Sequence, residues 1–341
     1  MGGVAAVTQD DQHENALPAQ PSPPGTGASS SPPRISVVIP TRNRSTFLQE
    51  TLAGLACGQQ TDFEVLVMDQ SDDDATERVV AGFDERVIYH RMPRRGANPA
   101  RNLGAALARA DLVAFVDDDC VPRPDWLSRI VEAFRTQPEL EFIFGQLKAP
   151  PHDGAGGWFP ETLPPPDIHT RRIRRKISAI GAGANMSCRK TFLRRVGGFD
   201  ELLGPNDMSV INADTPMAYK AFRQANWLAS SEIEVVHVNG FRPKRELAAL
   251  YRSYARELGI NYGRFTRRGD LSAAWIFLLE QWDILAPALA AVVRLRRPRR
   301  LGALLPYARG FVRGLLVVPR LGFVDGAAFR RMEAAGTLDA E

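Results

Sequence analysis

The chain has 341 residues, 44% hydrophobic and 24% charged, a globular composition long enough for one large domain with additions. Its cysteines, Cys57, Cys120 and Cys188, are odd in number and widely spaced, which argues against a disulfide framework or a zinc knuckle and for a reducing, cytoplasmic setting. The formal charge of +4 conceals a local bias, because eight arginines and no acid stand between Ala290 and Arg320.

Residues 1–33 are rich in proline, glycine and serine without an apolar period, and are expected to be a disordered leader with none of the basic start or continuous apolar stretch of a secretory signal. Ile35–Ile39 then reads as a strand stopped by Pro40. Thr46 and Gln49 have capping-box spacing, and Phe47, Leu48, Leu52, Leu55 and Ala56 recur at helical spacing. Phe63–Met68 is a second strand ending at Asp69, and Val87–His90 a weaker third. Asn98-Pro99 is expected to cap a helix running through Arg109.

Leu112–Val116 is an apolar run of strand length that ends in Asp117, Asp118 and Asp119. Such a run suits a parallel strand buried on both faces, and ligands of open α/β sheets gather at the carboxyl ends of those strands. Adjacent carboxylates repel and favour a cation; Asp117 and Asp119 point the same way and Asp118 the other, leaving two carboxylates for one hard divalent ion. The plainer alternative is an acidic turn. Alternating strand and helix over residues 34–120 argues for a Rossmann-like, doubly wound α/β layer with Asp69 and the Asp triplet at the same edge. A helix carrying Trp126, Leu127, Ile130, Val131 and Phe134 and a strand over Glu141–Leu147 follow, then a proline- and glycine-rich loop over Pro150–Pro166 and a basic run at Arg171–Lys176. Gly181-Ala182-Gly183 lacks the third glycine of a dinucleotide fingerprint, which disfavours an oxidoreductase, and there is no phosphate-binding Walker motif.

Taken together, Val37-Val38-Ile39-Pro40-Thr41-Arg42-Asn43-Arg44, Val67-Met68-Asp69 with Ser71, Asn98-Pro99-Ala100-Arg101-Asn102-Leu103-Gly104, Phe115–Asp119 with Pro124-Asp125-Trp126-Leu127, and Gly197-Gly198-Phe199-Asp200-Glu201 stand in an order that resembles the inverting glycosyltransferases of family 2. The resemblance spans roughly residues 34–240 and implies a GT-A fold with a mixed sheet. It also implies a nucleotide-sugar donor (a UDP-, dTDP- or GDP-sugar) and an acceptor that is a saccharide or a lipid-linked species in surface-glycan assembly. On this resemblance Pro40, Thr41 and Arg42 line the donor pocket, Asp69 contacts the base, and Arg101 lies near the base or diphosphate. Asp117 sits beside the ribose or metal, Asp119 on the metal, and His237 stands where a third metal ligand is often found. A lone histidine at a strand end is as readily a hydrogen-bonded structural group. Carboxylate oxygens suit Mn²⁺ or Mg²⁺, and an imidazole tilts the choice toward Mn²⁺.

An inverting transfer needs a general base on the acceptor hydroxyl, for which Asp214 is the candidate. Here the sequence departs from the family's usual Glu-Asp pair, reading Ala213-Asp214 with Pro216 where another acid is common. Asp214-Thr215-Pro216 also reads as a helix cap, and the departure supports an alternative in which the protein binds a nucleotide sugar without transferring it. Residues 241–341 have a helical pattern and form a basic C-terminal extension. Two readings stand for it: peripheral contact with the anionic inner face of the cell membrane, or a helical cap packed on the catalytic domain. Nucleic acid is disfavoured for want of a recognition module. No stretch of about 18 uncharged apolar residues is present, since Glu280 and Asp283 interrupt the longest run.

Overall fold

In the computed structural model, residues 31–151, 157–158, 162, 168–170, 183–201, 215–295, 301–316 and 324–336 are described. Residues 1–30 of the leader, the basic run at Arg171–Lys176, Asp214 with Ala213, and Arg296–Arg300 lie outside them.

The sheet starts with β1 (Ile35–Thr41), whose seven residues are all buried. Alternation along the strand divides them between two cores: Ile35, Val37 and Ile39 join the layer of α1 (Ser45–Ala56), while Val38 faces the opposite layer. β2 (Phe63–Asp69), α2 (Ala75–Val80) and the half-exposed β3 (Val87–Arg91) follow, with β1, β2 and β3 paired in parallel. Next come α3 (Ala97–Leu107), β4 (Leu112–Val116), which pairs parallel to β1, the short β5 (Cys120–Pro122), α4 (Trp126–Thr136) and β6 (Phe142–Lys148). α3 lies close on the sheet because Gly104 carries no Cβ, which would stand 2.4 Å from Val38 Cγ1.

The short strands β7 (Gly157–Trp158) and β8 (Ile168–Thr170) lead to β9 (Asn185–Arg189), α5 (Lys190–Val196), α6 (Thr215–Gln224) and the long β10 (Trp227–His237). The nine-stranded sheet runs β3-β2-β1-β4-β9-β6-β10-β5, with β8 also on β10. β9 is antiparallel to both β4 and β6, so the sheet is mixed beyond its parallel half, and β5 is antiparallel to β10, bringing Cys120 opposite His237. This is the GT-A-type architecture expected, continued by a helical region.

β11 (Arg242–Pro243) pairs with β7 and opens α7 (Lys244–Arg267), followed by α8 (Leu271–Val293), a 3₁₀ turn, α9 (Leu304–Leu316) and α10 (Gly326–Ala335). α7 and α9 touch backbone to backbone: a Cβ on Gly259 would lie 2.2 Å from the Tyr307 carbonyl oxygen, and one on Gly310 2.0 Å from that of Arg256. α8 is long and apolar enough to cross a membrane by length and composition. The sequence reading asked for an uncharged run, whereas α8 is apolar on average despite Glu280 and Asp283; in the fold Glu280 is turned inward, accepting hydrogen bonds from Tyr262 and Tyr307.

Two expected caps differ. α1 begins at Ser45 with no side-chain cap, so Thr46 and Gln49 lie within its first turns. α3 begins at Ala97 after Gly96, whose φ of 128° suits glycine. Asn98 is instead buried and donates to the Asp200 carbonyl oxygen (2.7 Å), a tertiary contact that the local pattern Asn-Pro does not reveal.

Candidate active site

The carboxyl ends of β1, β2 and β4 meet at one edge of the sheet, as parallel pairing from Ile35↔Phe63 to Thr41↔Asp69 requires. Asn43 follows β1 with φ 54°, a left-handed turn that asparagine tolerates. Its side chain accepts from the Asp72 N–H and donates to the Asp72 carboxylate (both 2.9 Å), while its own N–H donates to Ser71 Oγ (2.8 Å), fastening the loop after β1 to the loop after β2. Pro40 and Thr41 are buried at the end of β1; Arg42 reaches the exposed Asp72 at 3.5 Å.

Asp69 is fully buried, and its carboxylate is held by the Ser71 N–H (2.9 Å), the Tyr89 hydroxyl (2.8 Å) and Arg91 Nη1 (3.4 Å). Arg101, 5% exposed, donates from Nη2 to Asp117 Oδ1 (2.7 Å), and its guanidinium stands 5.5 Å over the Phe199 ring. A buried arginine paired to a half-buried carboxylate gives Asp117 a fixed orientation at the rim.

The other two members of the triplet turn elsewhere. Asp118 accepts from Thr41 Oγ1 (2.8 Å) and from Arg44 Nη1 (3.2 Å), and its backbone carbonyl accepts from Thr51 Oγ1 (2.9 Å). Burial pushes its carboxyl up to about 7 against the pull of Arg44. Asp119 accepts from the same Arg44 nitrogen (3.0 Å) and lies 3.4 Å from His237 Nε2. Burial acts to raise the Asp119 carboxyl, but hydrogen bonding and charge from His237, with Arg44, hold it below the usual carboxylate range. The β5–β10 pairing places His237 there, and the Val238 N–H donates to the Asp119 carbonyl (2.9 Å).

Asp119, Cys120 and His237 form a group whose potential ligand atoms all lie within 4.8 Å of one another. His237 Nδ1 is buried with no hydrogen-bond partner among the described residues, an orphaned polar atom in a site otherwise dense with contacts. The carboxylate fits a hard divalent cation, and Mn²⁺ among these also accepts the imidazole nitrogen; burial pushes the Cys120 thiol well above its ordinary range, making it the poorest donor of the three. Arg44 is the residue that sequence reasoning passed over. It stood within the Pro40–Arg44 block, but only the fold shows it bridging Asp118 and Asp119.

Asn102 completes the floor, donating to the Phe199 carbonyl (3.0 Å) and to Glu201 Oε1 (2.8 Å) and accepting from the Phe199 N–H (2.6 Å). This lashes α3 to the Gly197–Glu201 segment that leads toward Asp214, itself outside the described residues.

The family profile described as "Glycosyl transferase family 2" matches residues 36–197, a segment that contains β1, β2, β4 and the Asp triplet. Over that segment, just under half of the chain, the sequence is similar to the family 2 glycosyl transferases. The chain is 36% identical over 148 residues to a validoxylamine A glucosyltransferase of Streptomyces hygroscopicus subsp. limoneus, covering 41% of this chain and 31% of that protein. It is 24% identical over 205 residues to a glucosyl-dolichyl phosphate glucuronosyltransferase of Haloferax volcanii, covering 56% and 64%. It thus spans less than two thirds of these relatives' own lengths. Among solved structures, a mannosyltransferase from Pyrobaculum calidifontis in complex with GDP-Man and Mn²⁺ shares the fold at a TM-score of 0.54 and 19% identity, covering 84% of this chain and 88% of that one. The segment similar to family 2 therefore contains the carboxylate edge, while His237 lies beyond it.

Proposed function

We propose that the protein is a metal-dependent, inverting glycosyltransferase that moves a sugar from a nucleotide-sugar donor to a saccharide or lipid-linked acceptor in surface-glycan assembly. The observation that carries this reading is the meeting of Asp119 and His237 at the carboxyl edge of the sheet, beside Asp117 held by Arg101. In this reading Thr41 and Asp69 line the nucleotide side of the pocket, with Pro40 and Arg42 flanking. Arg101 keeps Asp117 at the rim, and Asp119 with His237 would hold Mn²⁺ or Mg²⁺. That cation, when bound, neutralises charge developing on the departing nucleoside diphosphate.

Arg44 contributes a second positive charge that the carboxylates already orient, and it lies within reach of an anionic donor at the same edge. Asp214 would take the proton of the acceptor hydroxyl as the new glycosidic bond forms, and its place immediately before α6 is compatible with a capping role as well. Dolichyl phosphate in the name of the Haloferax relative supports a lipid-linked acceptor, as does the exposed apolar surface of the C-terminal helices. The reading of a donor-binding protein without transferase activity rests on Ala213 and Pro216 alone. Incubating the full chain with a panel of nucleotide sugars and Mn²⁺, with and without acceptor, separates the two. Release of nucleoside diphosphate supports transfer, and donor binding without release supports the alternative.

A further inference from the structure

Along α8, Leu271, Trp275, Leu278, Trp282, Leu289 and Val292 are each between 51% and 75% exposed. Spacings of three, four and seven residues put them on one stripe of the helix. In the linear sequence Glu280 breaks this run, yet in the fold its carboxylate is buried and hydrogen-bonded by Tyr262 of α7 and Tyr307 of α9. At about 100° per residue Glu280 falls opposite Leu271 and Leu289, and the half-buried Asp283 falls about 120° from both, so neither acid stands on the apolar ridge. Soluble proteins rarely leave so continuous an apolar surface without a partner.

We infer that this ridge docks the protein on an anionic membrane surface, with α8 lying in the plane of the interface. The inference does not rest on the transferase reading. Charge complementarity selects the occupant: Arg267 and Arg268 precede α8, Arg294 closes it, and Arg296, Arg297, Arg299 and Arg300 follow in the sequence. Cations at both ends of an apolar helix suit an anionic leaflet, whose surface potential attracts them while the ridge enters the acyl boundary. Two exposed tryptophans on the ridge match the side chain most favoured at the membrane–water boundary.

The same features disfavour other occupants. A second copy seated on the ridge would set arginines against arginines in either orientation. A helix crossing the bilayer would carry Glu280 and its tyrosine partners into hydrocarbon, away from the α7 and α9 contacts that satisfy them. The in-plane arrangement leaves the inner face of α8 packed on α7 and α9 and uses only the outer one.

The test is co-sedimentation of the full chain with vesicles of phosphatidylcholine alone or mixed with phosphatidylglycerol, beside the variant L278E/L289E. Binding to the anionic vesicles, weakened by salt and roughly tenfold or more weaker in the variant, is the expected result. Quenching of tryptophan emission by brominated acyl chains should accompany binding and vanish in W275F/W282F. Should L278E/L289E fail to fold, W275S/W282S, altered only at exposed positions, carries the same comparison. The inference is overturned if the parent ignores anionic vesicles or if the ridge variants bind as tightly as the parent. It is equally overturned if the ridge variants turn a vesicle-free dimer into a monomer, or if the parent leaves the vesicles only with detergent.

Discussion

Asp119 is the residue on which the site turns, because among the described residues it alone touches all of His237, Arg44 and the Cys120 thiol. Asp119→Asn keeps the size and most hydrogen bonds but removes the ligand charge. Calorimetric titration with a nucleoside diphosphate and Mn²⁺ should show binding weakened by about tenfold or more with the thermal transition little changed. Equal affinity in the variant would make the triplet an acidic turn. Asp214→Asn retains an acceptor for a cap but no proton acceptor, so stability should fall by no more than about 1 kcal/mol while transfer drops roughly a hundredfold at unchanged donor affinity. A large melting shift with near-parental turnover per folded molecule would assign Asp214 to the cap alone. The acidic strand end was legible at this scale because strand, apolar run and carboxylates are contiguous. Arg44 across Asp118 and Asp119, and Tyr89 on Asp69, were not, since each contact joins segments that only the parallel sheet brings together.

At the scale of elements, the parallel half of the sheet could be read from the sequence, because each buried strand is a short apolar run followed by a helical period. The insertion of β9 between β4 and β6 could not, since Asn-Met-Ser-Cys-Arg has no such run and its partners lie far away in sequence. Helix starts failed for a related reason: Asn98 satisfies the Asp200 carbonyl, and a cap signature cannot tell local from tertiary partners.

The C-terminal helices were visible as helices but not as a packing arrangement. α10 is docked by Glu333, which accepts from Arg194 Nε and Nη2 (2.9 and 2.6 Å) and pairs with the buried Lys190 (2.9 Å). Arg194 chiefly, with Lys190 and against partial burial, holds the Glu333 carboxyl down to about 2 from an ordinary 4.5. A depressed carboxyl stabilises the folded state fully above its unfolded value and loses that contribution on acidification. Docking of α10 should therefore weaken between about pH 4.5 and 2, with Glu333→Gln costing about 1 to 2 kcal/mol at neutral pH and flattening that part of the stability profile. An unchanged acid limb in the variant would remove Glu333 from the account. Gly310→Ala tests the other contact: its methyl has no space against the Arg256 carbonyl, so α7 and α9 must separate at a cost of about 1 to 3 kcal/mol, seen as a lower denaturation midpoint.

For the molecule as a whole, one sheet edge collects Asp69, Asp117, Asp119 and His237, the groups proposed to meet a nucleotide sugar and a divalent cation, while the last helices place an apolar ridge and the exposed Arg294, Arg309 and Arg313 on the outside. The two halves suit the proposed enzyme, one that takes a soluble donor and works at a lipid surface; of the two readings of the basic tail, membrane contact or a packed helical cap, the inferred docking takes the first and places it on α8. The central claim is transfer at the Asp119–His237 edge. Nucleoside diphosphate release from a panel of UDP-, dTDP- and GDP-sugars, measured with Mn²⁺ and then with a chelator, tests it most directly. The account predicts release from at least one donor, lost on chelation and in Asp119→Asn; release that persists undiminished in both would contradict it.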